Sequence, residues 1–96
     1  MNTDSIGEVA IDDEGRLLIR PSSHSYPIIY REAVEVHWDA AGRFLYSPKP
    51  KEWSYLDWFK HIVDTAGDLV LSAGTRWKNI PADLRTEAEA WMRQRK

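Results

Sequence analysis

Two stretches of the chain, EVAIDDEGRLLIRP from Glu8 to Pro21 and EVHWDAAGRFLYSP from Glu35 to Pro48, superpose without a gap. Both read Glu-Val-x-apolar-Asp-x-x-Gly-Arg-apolar-Leu-apolar-x-Pro. An Asp followed three residues later by Gly is the composition of a type I turn. A Gly in the left-handed conformation then closes a three-residue hairpin loop with a bulge. The pattern therefore predicts two β-hairpins. Pro21 and Pro48 end the pairing, because proline has no N–H to donate.

The turn fixes an expected register. In the first hairpin Asp12 faces Arg16, Ile11 faces Leu17 and Val9 faces Ile19. In the second, Asp39 faces Arg43, Trp38 faces Phe44 and Val36 faces Tyr46. Opposed residues share a side of the sheet and neighbours along a strand alternate. One face should then collect Val9, Ile11, Leu17, Ile19, Val36, Trp38, Phe44 and Tyr46. The other should carry Ala10, Asp12, Arg16, Leu18, Glu35, His37, Asp39, Arg43 and Leu45. On this reading Asp and Arg form a cross-strand ion pair in each copy, and Ile28 and Tyr30 begin the third strand early. Glu32 breaks that alternation, which predicts a bulge or short helical turn near Arg31 to Ala33.

After Pro48 the period changes to that of a helix: Tyr55, Leu56, Phe59, Ile62, Val63 and Ala66 share one face. Ser54 and Asp57 have capping-box spacing, Trp53 and Trp58 have the spacing of a hydrophobic staple, and Gly67 is placed to end the helix. Asp68 to Gly74 reads as a short fifth strand, with TRWKN after it as strand end or loop. Pro81 suits the first turn of a second helix. Its apolar stripe is Leu84, Ala88, Trp91 and Met92. Acidic Asp83, Glu87 and Glu89 come early and basic Arg93, Arg95 and Lys96 late, as the helix dipole favours. The order β-β-β-β-α-β-α predicts one α+β domain over residues 1–96: an antiparallel sheet from two repeated hairpins plus a short fifth strand, covered by two helices.

Composition limits the chemistry. Ninety-six residues with 43% apolar content and five Trp can build one core. The absence of cysteine excludes disulfides and thiolate metal sites and fits a cytoplasmic setting. The N-terminus lacks the charged-then-apolar pattern of a signal peptide, and no run is long enough for a membrane span. Thirteen basic and fifteen acidic residues give a net charge of −2, unlike a dedicated nucleic-acid binder. His24, His37 and His61 fall in three elements without metal-ligand spacing, so no metal and no cofactor is expected. DDEG at Asp12 to Gly15 opens like a calcium loop but lacks the ligands that should follow.

The best-organised polar group is Glu35, His37 and Asp39 on one strand, with Arg43 opposite. A carboxylate beside an imidazole is the arrangement general-base chemistry uses, but no nucleophile motif or phosphate loop accompanies it. Trp53 and Trp58, at the margin of the helical stripe, are the aromatic candidates for contact with a ligand or partner.

The phrases SYPIIYREAVEVHWD, LYSPKPKEWSYLDWFKHIV and TRWKNIP resemble small bacterial proteins of the kind carried on mobile integron gene cassettes. That resemblance implies a soluble bacterial protein, often self-associating. No functional residues come with it. Three readings follow: a non-catalytic module that forms a homo-oligomer or binds another protein, an immunity-type inhibitor of a toxin, and a small enzyme or ligand-binding domain using the His37 face. The first leads.

Overall fold

The computed structural model describes residues 3–31 and 35–94, with the backbone only at Tyr30. Strands β1 (Asp4–Ile11) and β2 (Leu17–Pro21) lead to a 3-10 turn (Ile29–Arg31). Strands β3 (His37–Asp39) and β4 (Phe44–Tyr46), helix α1 (Tyr55–Ala66), strands β5 (Leu69–Val70) and β6 (Arg76–Lys78), and helix α2 (Ala82–Gln94) follow. The fold is α+β, in roughly the expected order, with a sixth strand, β6, in place of the expected strand end or loop. The sheet runs β3-β4-β2-β1-β5, with β6 also on β1.

The hairpin strands are antiparallel, but β5 and β6 both join β1 in parallel, so the sheet is mixed rather than purely antiparallel. β5 takes Asp4 and Ser5, and β6 takes Glu8 to Ala10, so the two together make one interrupted edge strand. The interruption sits beside the bulge at Gly7, where the β1–β2 register shifts. There the Thr75 hydroxyl donates to the Ile6 carbonyl at 2.6 Å, satisfying a buried acceptor. These added partners are why β1 starts at Asp4, earlier than the repeat implies.

The first hairpin has the expected register, with Ile11 opposite Leu17 and Val9 opposite Ile19. Gly15 has φ +80°. Asp12 Oδ1 accepts from the Glu14 and Arg16 N–H groups at 3.0 and 2.8 Å, and its Oδ2 accepts from Arg16 Nε at 2.8 Å.

The second hairpin is slipped by one residue. Asp39 pairs with Phe44, Trp38 with Leu45 and His37 with Tyr46. Its loop runs from Ala40 to Arg43, and Arg43, not Gly42, takes the left-handed conformation at φ 57°. Gly42 matters in a different way, since a Cβ there would meet the Phe44 ring and force it to shift. A one-residue slip exchanges the faces of a strand. Leu45 is therefore fully buried, opposite Ile19 of β2, while Phe44 and Tyr46 turn to the outer face. The expected core positions of Phe44 and Tyr46, the outer position of Leu45 and the Asp39–Arg43 ion pair are all corrected by this slip. Leu45 fits the space under α1, and the larger rings go where arginines cover them. The Arg16 guanidinium carbon lies 4.8 Å from the Tyr46 ring centre, and that of Arg20 lies 5.3 Å from Phe44.

The stretch before β3 also differs from expectation. Ile29 N–H donates to the Tyr26 carbonyl and Arg31 N–H to that of Ile28, at 3.1 and 3.0 Å, giving a helical turn instead of an early strand. Ile29 is buried and Ile28 exposed. The bulge or short helical turn expected near Arg31 to Ala33 falls at the end of this turn and in Glu32 to Val34, which lie outside the described residues. So do Arg95 and Lys96.

Both helices cover the inner face of the sheet. Ile6, Val9, Leu17, Ile19, Val36 and Leu45 meet Trp58, Phe59, Ile62 and Val63 of α1 and Ala88 of α2. Each large aliphatic side chain buried this way contributes roughly 1.5–3 kcal/mol. Ser54 and Asp57 form the complete capping box, and Gly67 (φ 84°) ends α1 with its N–H on the Val63 carbonyl. α2 begins at Ala82, one residue after Pro81, whose carbonyl accepts from Arg85.

Candidate functional site

Between β4 and α1 the chain passes through Pro48, Lys49, Lys51 and Glu52 before the cap at Ser54. This stretch and Glu35 frame a cleft of about 410 Å³ whose aromatic wall is Trp53 and Trp58. The staple geometry builds that wall. Trp58, four residues into the helix, points inward and is 7% exposed, and Trp53 lies across it with ring centroids 4.9 Å apart. Trp53 itself stays 45% exposed. His61, one turn after Trp58, meets both rings edge-on at 5.2 and 5.8 Å.

Glu35 enters the cleft from the segment before β3 with φ 67°, a conformation costly for a residue with a Cβ. The rim thus combines two lysines, two glutamates and an exposed indole.

The remaining candidates lie elsewhere. His37 is exposed on edge strand β3, with its ring 5.2 Å from that of Tyr46. Asp39 closes its own turn, with Oδ1 accepting from Gly42 N–H at 2.8 Å. Arg43 leaves the sheet. Its Nη2 donates to the Ser23 carbonyl at 2.9 Å, and its guanidinium lies 5.8 Å from the centre of the Trp38 ring. The structure therefore brings Glu35, Trp53 and Trp58 together, sets His37 and Asp39 on the outer side of β3, and sends Arg43 to the loop after β2.

That loop holds a cluster that sequence spacing does not reveal. Asp68 Oδ1 accepts from the Tyr26 hydroxyl at 2.6 Å, and its Oδ2 meets His24 Nδ1 at 2.8 Å. Asp4 Oδ2 accepts the backbone N–H groups of Ser23 and His24 at 2.9 and 3.0 Å. Burial works to raise the Asp4 pKa, but these backbone donors prevail and hold it below the usual carboxylate value. Burial, reinforced by the bond to Asp68, pushes the Tyr26 hydroxyl well above the usual tyrosine value. His24 and Asp68 are 44 residues apart in sequence and meet only because β5 joins the edge of β1. Among the described residues no three His, Asp or Glu side chains are placed to hold a metal ion. No helix among them is long and apolar enough to cross a membrane.

No protein of curated function matches the chain. A solved structure, that of integron cassette protein Hfx_Cass5 from the mobile metagenome of the North West Arm sewage outfall, is 40% identical, with a TM-score of 0.51. The match covers 94% of this chain and 95% of that one. The family model described as integron cassette protein Hfx_Cass5 matches residues 4–74. The resemblance to gene-cassette proteins is thereby established, and the chain belongs to the Hfx_Cass5 integron cassette protein family.

Proposed function

We propose that the protein is a small, non-catalytic interaction module that self-associates through the rim of the Trp53 cleft. The observation that carries this reading is the 45% exposure of Trp53 on a wall whose other indole is buried. Leaving so large an apolar ring in water gives up stabilisation that an interface recovers. The charges favour a second copy as the occupant. Lys49 and Lys51 balance Glu35 and Glu52 around the ring. Across a two-fold axis the same patch meets itself, so lysines of one protomer can face glutamates of its partner. A partner of strong net charge would be better served by a rim of one sign. The separation of Glu35 from His37 and Asp39 supports a contact role over chemistry at the His37 face. A cysteine-free chain suits the reducing cytoplasm.

The solution mass over a range of concentrations tests this reading. A dimer that Trp53→Ser converts to monomer, without loss of folding, supports it. A strict monomer overturns self-association and leaves the cleft to a foreign protein, as in an immunity-type inhibitor.

A further inference from the structure

His24 is held from several sides. Its backbone N–H is fixed by Asp4, its ring Nδ1 by Asp68, and its carbonyl and that of Ser23 by the Arg43 guanidinium. Asp68 is itself anchored, through the Tyr26 hydroxyl on Oδ1 and the Asp4 N–H on its carbonyl at 2.9 Å. An ionised carboxylate can only accept, so the neutral ring carries its proton on Nδ1 and keeps the lone pair on Nε2. Among the described residues Nε2 makes no hydrogen bond, and about a third of the side chain (32%) is open to solvent. A fixed tautomer, a lone pair without a hydrogen-bond partner on a part-exposed ring and a carboxylate beside the far nitrogen are what suits an imidazole to nucleophilic attack. Among the described residues the other histidines lack this arrangement. His37 has ring contact with Tyr46, and His61 lies against Trp53 and Trp58.

We propose that His24 is a phosphoryl-acceptor site, modified on Nε2 by small phosphoryl donors of the phosphoramidate class. In the step, the Nε2 lone pair forms a bond to phosphorus while the bond from phosphorus to the donor's ammonium nitrogen breaks, and ammonia leaves with its electron pair. The ring, still protonated on Nδ1, gains a positive charge, which Asp68 stabilises at 2.8 Å. Arg43 favours phosphoryl over other electrophiles. Its Nη2 donates to the Ser23 and His24 carbonyls, so a fixed positive charge lies on the same loop, which favours an anionic phosphoryl donor over neutral electrophiles.

Incubation of the full chain with potassium phosphoramidate at neutral pH, read by intact mass and peptide mapping in non-acidic solution, tests the site. The expected result is one phosphoryl group on His24, none on H24Q, and a rate lowered at least about tenfold in D68N. Circular dichroism shows whether each variant is folded. If D68N does not fold, the distribution of label among the three histidines of the unsubstituted protein decides. Equal labelling of His37 or His61, no label on His24, or an unchanged rate in folded D68N would overturn the proposal.

Discussion

Trp53 and Trp58 meet at 4.9 Å with their planes 50° apart, yet one ring is in the core and the other is nearly half in water. The same contact therefore has two energetic halves. Trp58→Ala should cost about 3–5 kcal/mol, as loss of a buried aromatic does. Trp53→Ala removes the staple and little core, and should cost about 1 kcal/mol or less. Urea denaturation of the two variants at a dilution where only monomer is present checks this. Equal losses would place both rings in the core and remove Trp53 as a contact residue.

The slipped second hairpin has its own test. Leu45 lies opposite Trp38 and Ile19 and is fully buried, so Leu45→Ala should cost roughly 2–5 kcal/mol. Phe44→Ala removes a half-buried ring on the outer face and its contact with Arg20, and should cost less despite the larger side chain. The unslipped register gives the opposite order, so the two unfolding midpoints separate the alternatives.

Acid should destabilise the fold through Asp4 and Asp12. At both, burial works to raise the pKa and is outweighed: at Asp4 by the His24 and Ser23 backbone donors, at Asp12 by the Arg16 backbone and guanidinium. Each native pKa is thus lower than in the unfolded chain, where aspartate titrates near about 3.9. The stabilisation is present above that value and is lost as pH falls through the lowered native values. Urea midpoints measured between about pH 5 and pH 2 should fall, and the fall should be shallower in Asp4→Asn and Asp12→Asn. A slope unchanged by both substitutions would contradict the assignment.

Much of this architecture is legible in local sequence because the governing interactions are local. Asp12, Gly15 and Arg16 specify the first turn within five residues, and Ser54, Asp57 and Gly67 specify both ends of α1. The second turn was not legible by analogy. The same Asp-x-x-Gly-Arg letters close a loop one residue longer, because the left-handed position moves from Gly to Arg43 and β2 demands Leu45 beneath α1. The parallel joining of β5 and β6 was not legible either, since a two- or three-residue strand has no direction of its own until an edge recruits it. At the cleft, helical period placed Trp53 and Trp58 at the margin of the core, but their different exposure depends on the path of the chain from Pro48 to Glu52, which lines the cleft. The His24–Asp68 contact carries no spacing signal at all.

The most direct test of the central claim is light scattering coupled to size-exclusion chromatography, run on the unsubstituted chain and on Trp53→Ser over a hundredfold range of concentration. Self-association through the Trp53 rim predicts a mass twice that of the 11.1 kDa chain, falling to one chain in the variant while its circular dichroism is unchanged. A mass of one chain at every concentration, or a dimer indifferent to Trp53, would contradict it.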